Sequence, residues 1–139
     1  MAVYGVGAYY NVDVTRDFIE NKCFCIGYGK SDATTLYEML RRAKVGDIIY
    51  IKAFTPKAKN RLTVKAIGFI TGQAIKEFKF EDGDSMGYGR YVRWVKDYSD
   101  DVRYVDLDDN DRVNNVYSNT MYEEYSKNII TSLIDWITE

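Results

Sequence analysis

The hydrophobic pattern of the chain is strongest between residues 46 and 72. Residues 47–54 and 62–71 form two runs rich in β-branched and aromatic side chains. A polar, basic stretch that carries Pro56, the only proline, separates them. Two such runs around a short polar loop predict a long antiparallel hairpin. Gly46 and Asp47 directly follow a helix-like segment, so they predict a helix stop and a tight turn into the first strand.

The first strand of this hairpin carries two different faces. Side chains alternate between the two sides of a strand. The fully apolar set is expected to face the interior of a barrel, and it comprises Ile49, Ile51 and Ala53. The mixed set is expected to face the helices or a cleft, and it comprises Ile48, Tyr50, Lys52 and Phe54.

Two segments have the period of amphipathic helices. In residues 32–44, apolar side chains recur with helical spacing at Leu36, Met39, Leu40 and Ala43, and Ser31-Asp32 precede them as caps. In residues 120–138, Thr120 and Glu123 fit a capping box. The apolar stripe that follows comprises Tyr122, Tyr125, Ile129, Leu133 and Trp136. Both helices are predicted to pack on a sheet.

The remaining pattern predicts further short strands. These lie at residues 3–10, 23–28, 88–98 and 102–107, while residues 73–80 extend the sheet or leave it. Residues 81–89 are acidic and glycine-rich and predict a mobile loop. Together the elements predict an α+β fold in one domain, residues 1–139. We expect a small, curved, mostly antiparallel barrel of five to seven strands with two main packed helices.

Composition narrows the classes of protein that this fold could serve. The chain has 139 residues, 46% of them hydrophobic, and no apolar run of the roughly 18 residues that a membrane span needs. It does not begin with the basic and then apolar pattern of a signal peptide, so a cytoplasmic location is expected. Cys23 and Cys25 would point the same way from one strand, which predicts buried thiols rather than a disulfide.

The chain has no histidine, which removes the commonest acid–base and metal chemistry. It also has no phosphate-binding loop or dinucleotide fingerprint. A binding domain without catalytic residues, cofactor or metal is therefore favoured, although chemistry based on carboxylates or lysine stays open. Asp106, Asp108 and Asn110 imitate the start of a calcium loop but lack its later glycine and glutamate, so we interpret them as a solvated loop or an acidic protein contact.

Charge is distributed unevenly along the chain. Residues 1–76 hold 12 Lys and Arg against 6 Asp and Glu, whereas residues 77–139 hold 7 against 15. The positive charge gathers around the hairpin, where it is either a solvated tip or a surface that faces phosphates. The candidates for contact with a nucleic-acid backbone are Arg41, Arg42, Lys57, Lys59 and Arg61.

Several short motifs resemble the EVE type of PUA-like barrel, a group related to YTH and ASCH modules. Residues 18–28 resemble its segment with a tryptophan before Ile-Gly, and Phe24 takes the tryptophan's place. Residues 36–47 resemble its helix and Gly-Asp turn, residues 66–70 its Ile-Gly strand, residues 91–95 its Val-x-Trp strand and residues 116–136 its closing segment. Ile51-Lys52 after the Gly-Asp turn is similar to EVE-like domains fused to the ATPases of modified-cytosine restriction systems.

The resemblance implies a pocket for a flipped, often modified, base. Such a pocket is walled by aromatic side chains, and its expected boundary here is Phe24, Gly27, Tyr28 and Trp94, with the basic hairpin residues near its mouth. The full set of candidates is Phe24, Gly27, Tyr28, Tyr50, Lys52, Phe54, Arg90 and Trp94, with Tyr9 and Tyr10 on the facing strand. The implied partner is DNA or RNA. The alternative is a small-molecule-sensing or protein-interaction domain of a defence or phage-related system on the same scaffold.

Overall fold

A computed structural model describes residues 1–28, 33–53, 61–107 and 120–139. These ranges contain eight strands and three helices. In chain order they are β1 (Val3–Gly7), α1 (Thr15–Glu20), β2 (Cys23–Cys25), α2 (Thr34–Arg42), β3 (Ile48–Ala53), β4 (Arg61–Ile70), β5 (Lys76–Lys79), β6 (Ser85–Asp97), β7 (Arg103–Asp106), β8 (Met121–Glu123) and α3 (Lys127–Ile137).

All eight strands belong to one curled sheet that forms a half-barrel. The strand order is β2-β6-β4-β3-β1-β8, with β5 added to β6 and β7 added to β4. Every pair is antiparallel except β1 with β3, which run parallel. The prediction of an α+β fold with a curved, mostly antiparallel sheet is confirmed, although the described residues already hold more strands than the five to seven expected. No helix in these ranges has the length and apolar character to cross a membrane.

The predicted hairpin is present as β3 and β4. Its register runs from Ile48 opposite Phe69 to Ala53 opposite Thr63, with a bulge just before Lys52. At the open end of the hairpin, Gly46 has a φ of +94°, and its amide donates to the carbonyl oxygen of Ile70 at 2.8 Å. That left-handed conformation favours glycine, so the Gly-Asp turn has the role that the sequence predicts. Phe54, Lys57 and Lys59 lie outside the described residues.

The two faces of β3 enter two separate cores, as the alternation predicts. Ile49 and Ile51 pack in the core that contains Phe18 of α1. Ile48 and Tyr50 pack in the core that contains Ile129 and Leu133 of α3. The sheet therefore has a helix-covered apolar layer on each side, and Lys52 follows Tyr50 on the α3 side near the end of the strand.

The second helix lies within the predicted range. α2 spans Thr34–Arg42 and buries Leu40, which belongs to its predicted apolar face. Ala33 occupies the N-cap position, and the predicted caps Ser31 and Asp32 lie outside the described residues.

The predicted start of the last helix is wrong. Residues Met121–Glu123 form β8, which pairs with β1 across Tyr4 to Val6, and α3 begins only at Lys127. The Ser126 hydroxyl caps it by accepting from the amide of Ile129 at 3.2 Å. Pairing with β1 satisfies the backbone of residues 121–123, so the capping-box pattern at Thr120 is overridden by tertiary structure.

The predicted loop at residues 81–89 is shorter than expected, because β6 begins at Ser85. Gly89 explains why this segment can join the sheet. A Cβ at Gly89 would lie 1.8 Å from the carbonyl oxygen of Phe24, so only glycine permits β2 and β6 to approach this closely. Gly89, one of the glycines that suggested a loop, instead allows a close strand crossing.

Candidate functional site

A cavity of about 460 Å³ lies where the ends of β1 and β2 approach each other. These strands are far apart in sheet order, and the curl of the half-barrel brings their ends together. We call it the tyrosine cavity. The described residues that line it are Gly7, Tyr9, Tyr10, Asn11, Ile26, Gly27, Tyr28, Lys52 and Thr120. Its volume is in the range typical of sites for small ligands.

Tyr10 forms a fixed wall of the tyrosine cavity. Its hydroxyl lies 3.3 Å from the carbonyl oxygen of Cys25 and 3.2 Å from that of Met86, and donates towards them. Burial raises the pKa of Tyr10 well above its ordinary value, so the hydroxyl stays protonated and keeps this role. Gly27 has a φ of +77°, and a Cβ there would lie 3.2 Å from the Tyr10 ring. The glycine backbone therefore lies directly against the wall.

Two other tyrosines of the cavity present free ring surface. Tyr9 is 73% exposed and Tyr28 is 46% exposed. Neither ring is held by the core, in contrast to Tyr10. Exposed aromatic rings at a cavity can stack on a planar ligand, since every nucleobase or similar ring has a π face.

Lys52 places an amine at the same cavity. Its side chain is only 7% exposed, and Nζ lies 5.4 Å from the centroid of the Tyr122 ring. Burial lowers the pKa of Lys52 from 10.5 to about 8. The amine is therefore mostly protonated at neutral pH and can donate hydrogen bonds to a carbonyl or phosphate oxygen.

A second concavity of about 490 Å³ adjoins the tyrosine cavity. It shares Gly7, Tyr9 and Lys52 with the first, and Asp13 and Lys65 form part of its other side. The Lys65 amine forms an ion pair with the Asp13 carboxylate, whose pKa is lowered chiefly by hydrogen bonds that outweigh its desolvation. Lys52 and Tyr9 thus stand between two recesses, one lined by tyrosines and one by a paired charge.

Tyr50 belongs to a buried network rather than to the cavity. Its hydroxyl donates to the Glu124 carboxylate and lies 2.7 Å from the hydroxyl of Tyr122. The other carboxylate oxygen of Glu124 accepts from the amide of Ser126 at 3.2 Å. Burial raises the pKa of Tyr50, with the neighbouring Tyr122 and Glu124 acting in the same direction. This network fixes β8 and the start of α3 beneath Lys52.

The predicted boundary of Phe24, Gly27, Tyr28 and Trp94 is wrong as a group. Gly27 and Tyr28 line the tyrosine cavity, but Phe24 is fully buried in the core. Trp94 lies half-buried in a different concavity, where its indole N–H donates to the carbonyl oxygen of Phe18 at 3.2 Å. β2 and β6 are antiparallel, so Trp94 lies beyond the start of β2 whereas Gly27 lies beyond its end, about 20 Å away along the sheet.

Arg90 lies outside the tyrosine cavity, and the predicted basic surface is divided. Arg90 is buried and donates to backbone carbonyls at the end of α2, beside Arg41 and Arg42. Arg61 begins β4 at the opposite end of the hairpin, about 30 Å away along the strand, and pairs with Asp106 at 3.2 Å. The length of the hairpin separates charges that are close in sequence.

Sequence reasoning missed several members of the cavity. Gly7, Asn11 and Thr120 were not candidates, and Tyr9 and Tyr10 were named only as residues of a facing strand. Asn11 has a φ of 63°, which marks a tight turn directly after the two tyrosines. Gly7, the pair Tyr9-Tyr10 and the turn-forming Asn11 lie within five residues of sequence. This pattern was the signal from which these cavity residues could have been predicted.

A scan against protein-family models found no match to this chain, and neither did a search of curated proteins. Within the described ranges, no three carboxylate or thiolate side chains come together to hold a metal ion. The chemistry that the cavity offers is stacking on Tyr9 and Tyr28 together with hydrogen bonds from Lys52 and from the backbone beside Gly7 and Gly27.

Proposed function

We propose that this chain is a non-catalytic nucleic-acid-binding module that holds a flipped, often modified, base in the tyrosine cavity. In this proposal the base stacks on Tyr28 or Tyr9, its edge meets the backbone at Gly27, and Lys52 donates to a carbonyl or phosphate oxygen. The observation that carries the proposal is the convergence of two exposed tyrosines and a buried amine on one cavity with glycine in its walls.

The energetics are adequate for such a role. Extruding a base from a duplex costs a few kcal/mol, and stacking on an aromatic ring contributes about 1–3 kcal/mol per base. A single-stranded, mismatched or damaged site lowers the cost of extrusion. We therefore expect tighter binding to single-stranded than to perfectly paired oligonucleotides.

We also propose that the fold is PUA-like and of the EVE type. The support is the way in which two motifs of the resemblance meet. Gly68 of the Ile-Gly strand pairs with Trp94 of the Val-x-Trp strand, and a Cβ at Gly68 would lie 2.6 Å from the carbonyl oxygen of Arg93. The Ile-Gly and Val-x-Trp motifs therefore lie at the same close approach of β4 and β6. This gives a physical reason for their occurring together.

A binding screen tests the function. Single-stranded and duplex DNA and RNA, with and without modified cytosines, are titrated into the protein at low and at moderate salt. Wild type is compared with Tyr28→Ala, and Tyr125→Ala is the control because Tyr125 is 70% exposed and lies outside the cavity. Selective loss of affinity in Tyr28→Ala supports the proposal, whereas equal affinities in all three proteins contradict it.

A second candidate function, sensing of a small planar molecule, is favoured by the charge around the cavity. Among the described residues that line the cavity, Lys52 is the only one with a cationic side chain, and nearby Lys65 is already paired with Asp13. A single cation supplies little affinity for a polyanionic backbone, whereas a neutral planar ring can bind without further positive charge. Free nucleosides and nucleobases in the same screen distinguish the two: binding that is as tight as that of oligonucleotides and indifferent to salt favours the small molecule.

A further inference from the structure

A second, larger concavity lies at the other end of the hairpin, where α2 ends. Its volume is about 810 Å³, and its lining residues are Arg41, Arg42, Ala43, Lys44, Val45, Gln73 and Arg90. Four of these seven side chains are cationic and none is acidic, and we call the group the basic cavity. Among the described residues, it shares no lining residue with the tyrosine cavity.

Arg90 is a buried cation at the basic cavity with part of its donor capacity unused. The residue is 1% exposed. Its Nε donates to the carbonyl oxygen of Gly72 at 2.6 Å, and Nη1 donates to those of Leu40 at 2.9 Å and Ala43 at 2.6 Å. Nη2 takes part in none of these bonds. Because Arg90 lines the basic cavity, its second amino group is available there.

The neighbouring charges leave the basic cavity with a net positive field. Asp47 lies near Arg90, but its two carboxylate oxygens accept from the backbone amides of Ala2 at 3.0 Å and Lys44 at 2.8 Å. Arg41 is paired with Glu38 at 3.0 Å. Arg42 and Lys44 are exposed, and no ion pair to either occurs within the described part of the chain.

From this arrangement we infer a binding site for a phosphate-bearing anion at the basic cavity. Arg90 supplies a guanidinium held in one orientation by three carbonyl groups, which suits the planar, paired recognition of phosphate oxygens. Arg42 and Lys44 add two flexible cations at the rim, and Gln73 adds an amide donor. The volume accommodates several linked phosphoryl groups. Phosphates of a small molecule and of a nucleic-acid backbone offer the same oxygens, so the ligand class is a polyphosphate or phosphodiester anion.

The inference is tested by titration of tripolyphosphate at low salt into wild type and two charge-matched double variants. Arg42→Gln with Lys44→Gln removes two exposed cations from the rim of the basic cavity. Lys79→Gln with Lys127→Gln removes two exposed cations that do not line the basic cavity and are not candidates for contact with nucleic acid. We expect the first variant to bind about tenfold or more weakly and the second to stay within about twofold of wild type. Thermal unfolding of each protein checks that the fold is retained.

A strand of abasic nucleotides, which offers phosphodiesters without bases, distinguishes the source of the phosphate. Selective weakening of either probe in the Arg42→Gln, Lys44→Gln variant upholds the site, and the probe that binds wild type more tightly identifies the source. Equal weakening in both double variants, or no binding of either probe to wild type, overturns it. Tyr28→Ala is expected to leave both titrations unchanged, so failure of the base-binding proposal and failure of this site give different results.

Discussion

Gly5 lies against the ring of Tyr122 so closely that a Cβ at residue 5 would stand 2.5 Å from Cζ of that ring. In the sheet register Gly5 is the neighbour of Tyr50 on β3 and of Tyr122 on β8. The absence of a side chain at Gly5 leaves the space in which the two tyrosine hydroxyls meet above β1. The buried network that ends at Glu124 therefore depends on a glycine in a different strand.

Gly5→Ala is expected to destabilise the protein. The added methyl group must displace a fully packed ring, and overpacking of this kind costs about 1–3 kcal/mol. Chemical denaturation of wild type and variant measures the change. Gly7→Ala, in the same strand, is the matched control, because a Cβ there meets nothing within 4 Å. Equal effects of the two substitutions would show that close packing at Gly5 is not the cause.

Tyr50→Phe is expected to lower the free energy of unfolding by about 1.5–3 kcal/mol. The substitution removes the hydroxyl that donates to the Glu124 carboxylate, and hydrogen bonds to charged groups contribute about that amount. Tyr104→Phe, on an exposed ring, serves as the control and should stay within about 0.5 kcal/mol of wild type. A change at Tyr50 no larger than at Tyr104 would contradict the role assigned to the network.

Lys52 should make stability rise with pH above about 8. Its pKa is about 8 in the folded chain and close to 10.5 when exposed, so between these values the unfolded chain binds more protons. Folding is therefore favoured progressively as the pH rises through this window, and below about 8 the contribution is constant. Denaturation curves of wild type and Lys52→Met between pH 7 and about 9.5 test this, since tyrosine ionisation is still limited there.

As the pH rises across this range, the free energy of unfolding of wild type should increase relative to that of Lys52→Met. Lys127→Met, which makes the same substitution at an exposed lysine, provides the control. Parallel pH profiles for wild type and Lys52→Met would mean that burial does not lower the pKa of Lys52.

Trp94→Ala and Tyr28→Ala should separate stability from binding. Trp94 packs against the core and bonds to Phe18, so its loss should cost about 2 kcal/mol or more of stability while the affinity for an oligonucleotide stays within about twofold. Tyr28 is exposed at the cavity, so its loss should cost about 1–3 kcal/mol of binding with little change in stability. If Trp94→Ala instead weakens binding and Tyr28→Ala does not, Trp94 belongs to the binding site.

Lys57→Ala with Lys59→Ala should weaken oligonucleotide binding across all sequences. The salt dependence should flatten by about one unit for each phosphate contact that is lost. Both lysines lie outside the described residues, so this prediction depends on the charge pattern of the sequence alone. Affinity and salt slope that match those of wild type would remove the hairpin loop from the interface.

Local patterns predicted much of the fold because the elements they describe bury alternating or helical faces. The hairpin and α2 were found in this way, since their side-chain periodicity and turn residues agree. β8 was missed because a three-residue strand has no periodicity to detect, and its pairing partner β1 is remote in sequence. The capping box was the stronger local signal, and a long-range backbone ladder overrode it.

The site was harder to predict because strand direction decides which motif residues meet. Gly27 follows β2, and Trp94 lies in β6, which is the neighbour of β2 in sheet order, yet the antiparallel register places the two residues at opposite ends. Similarly, Arg42 and Arg61 are close in sequence but are separated by the full length of β4. Residue type identified aromatic and basic candidates, whereas their grouping required the register.

The place of β8 beside β1 also has a consequence for the newly made chain. Tyr4 cannot find its partner Glu123 until nearly all of the described residues have left the ribosome. Until then one side of β1 is an unpaired strand edge, and the apolar surface that Ile129 and Leu133 later cover stays open. Such edges recruit other chains, and contacts between distant residues form slowly. Synthesis that stalls before residue 120 should therefore yield aggregates rather than a smaller folded domain.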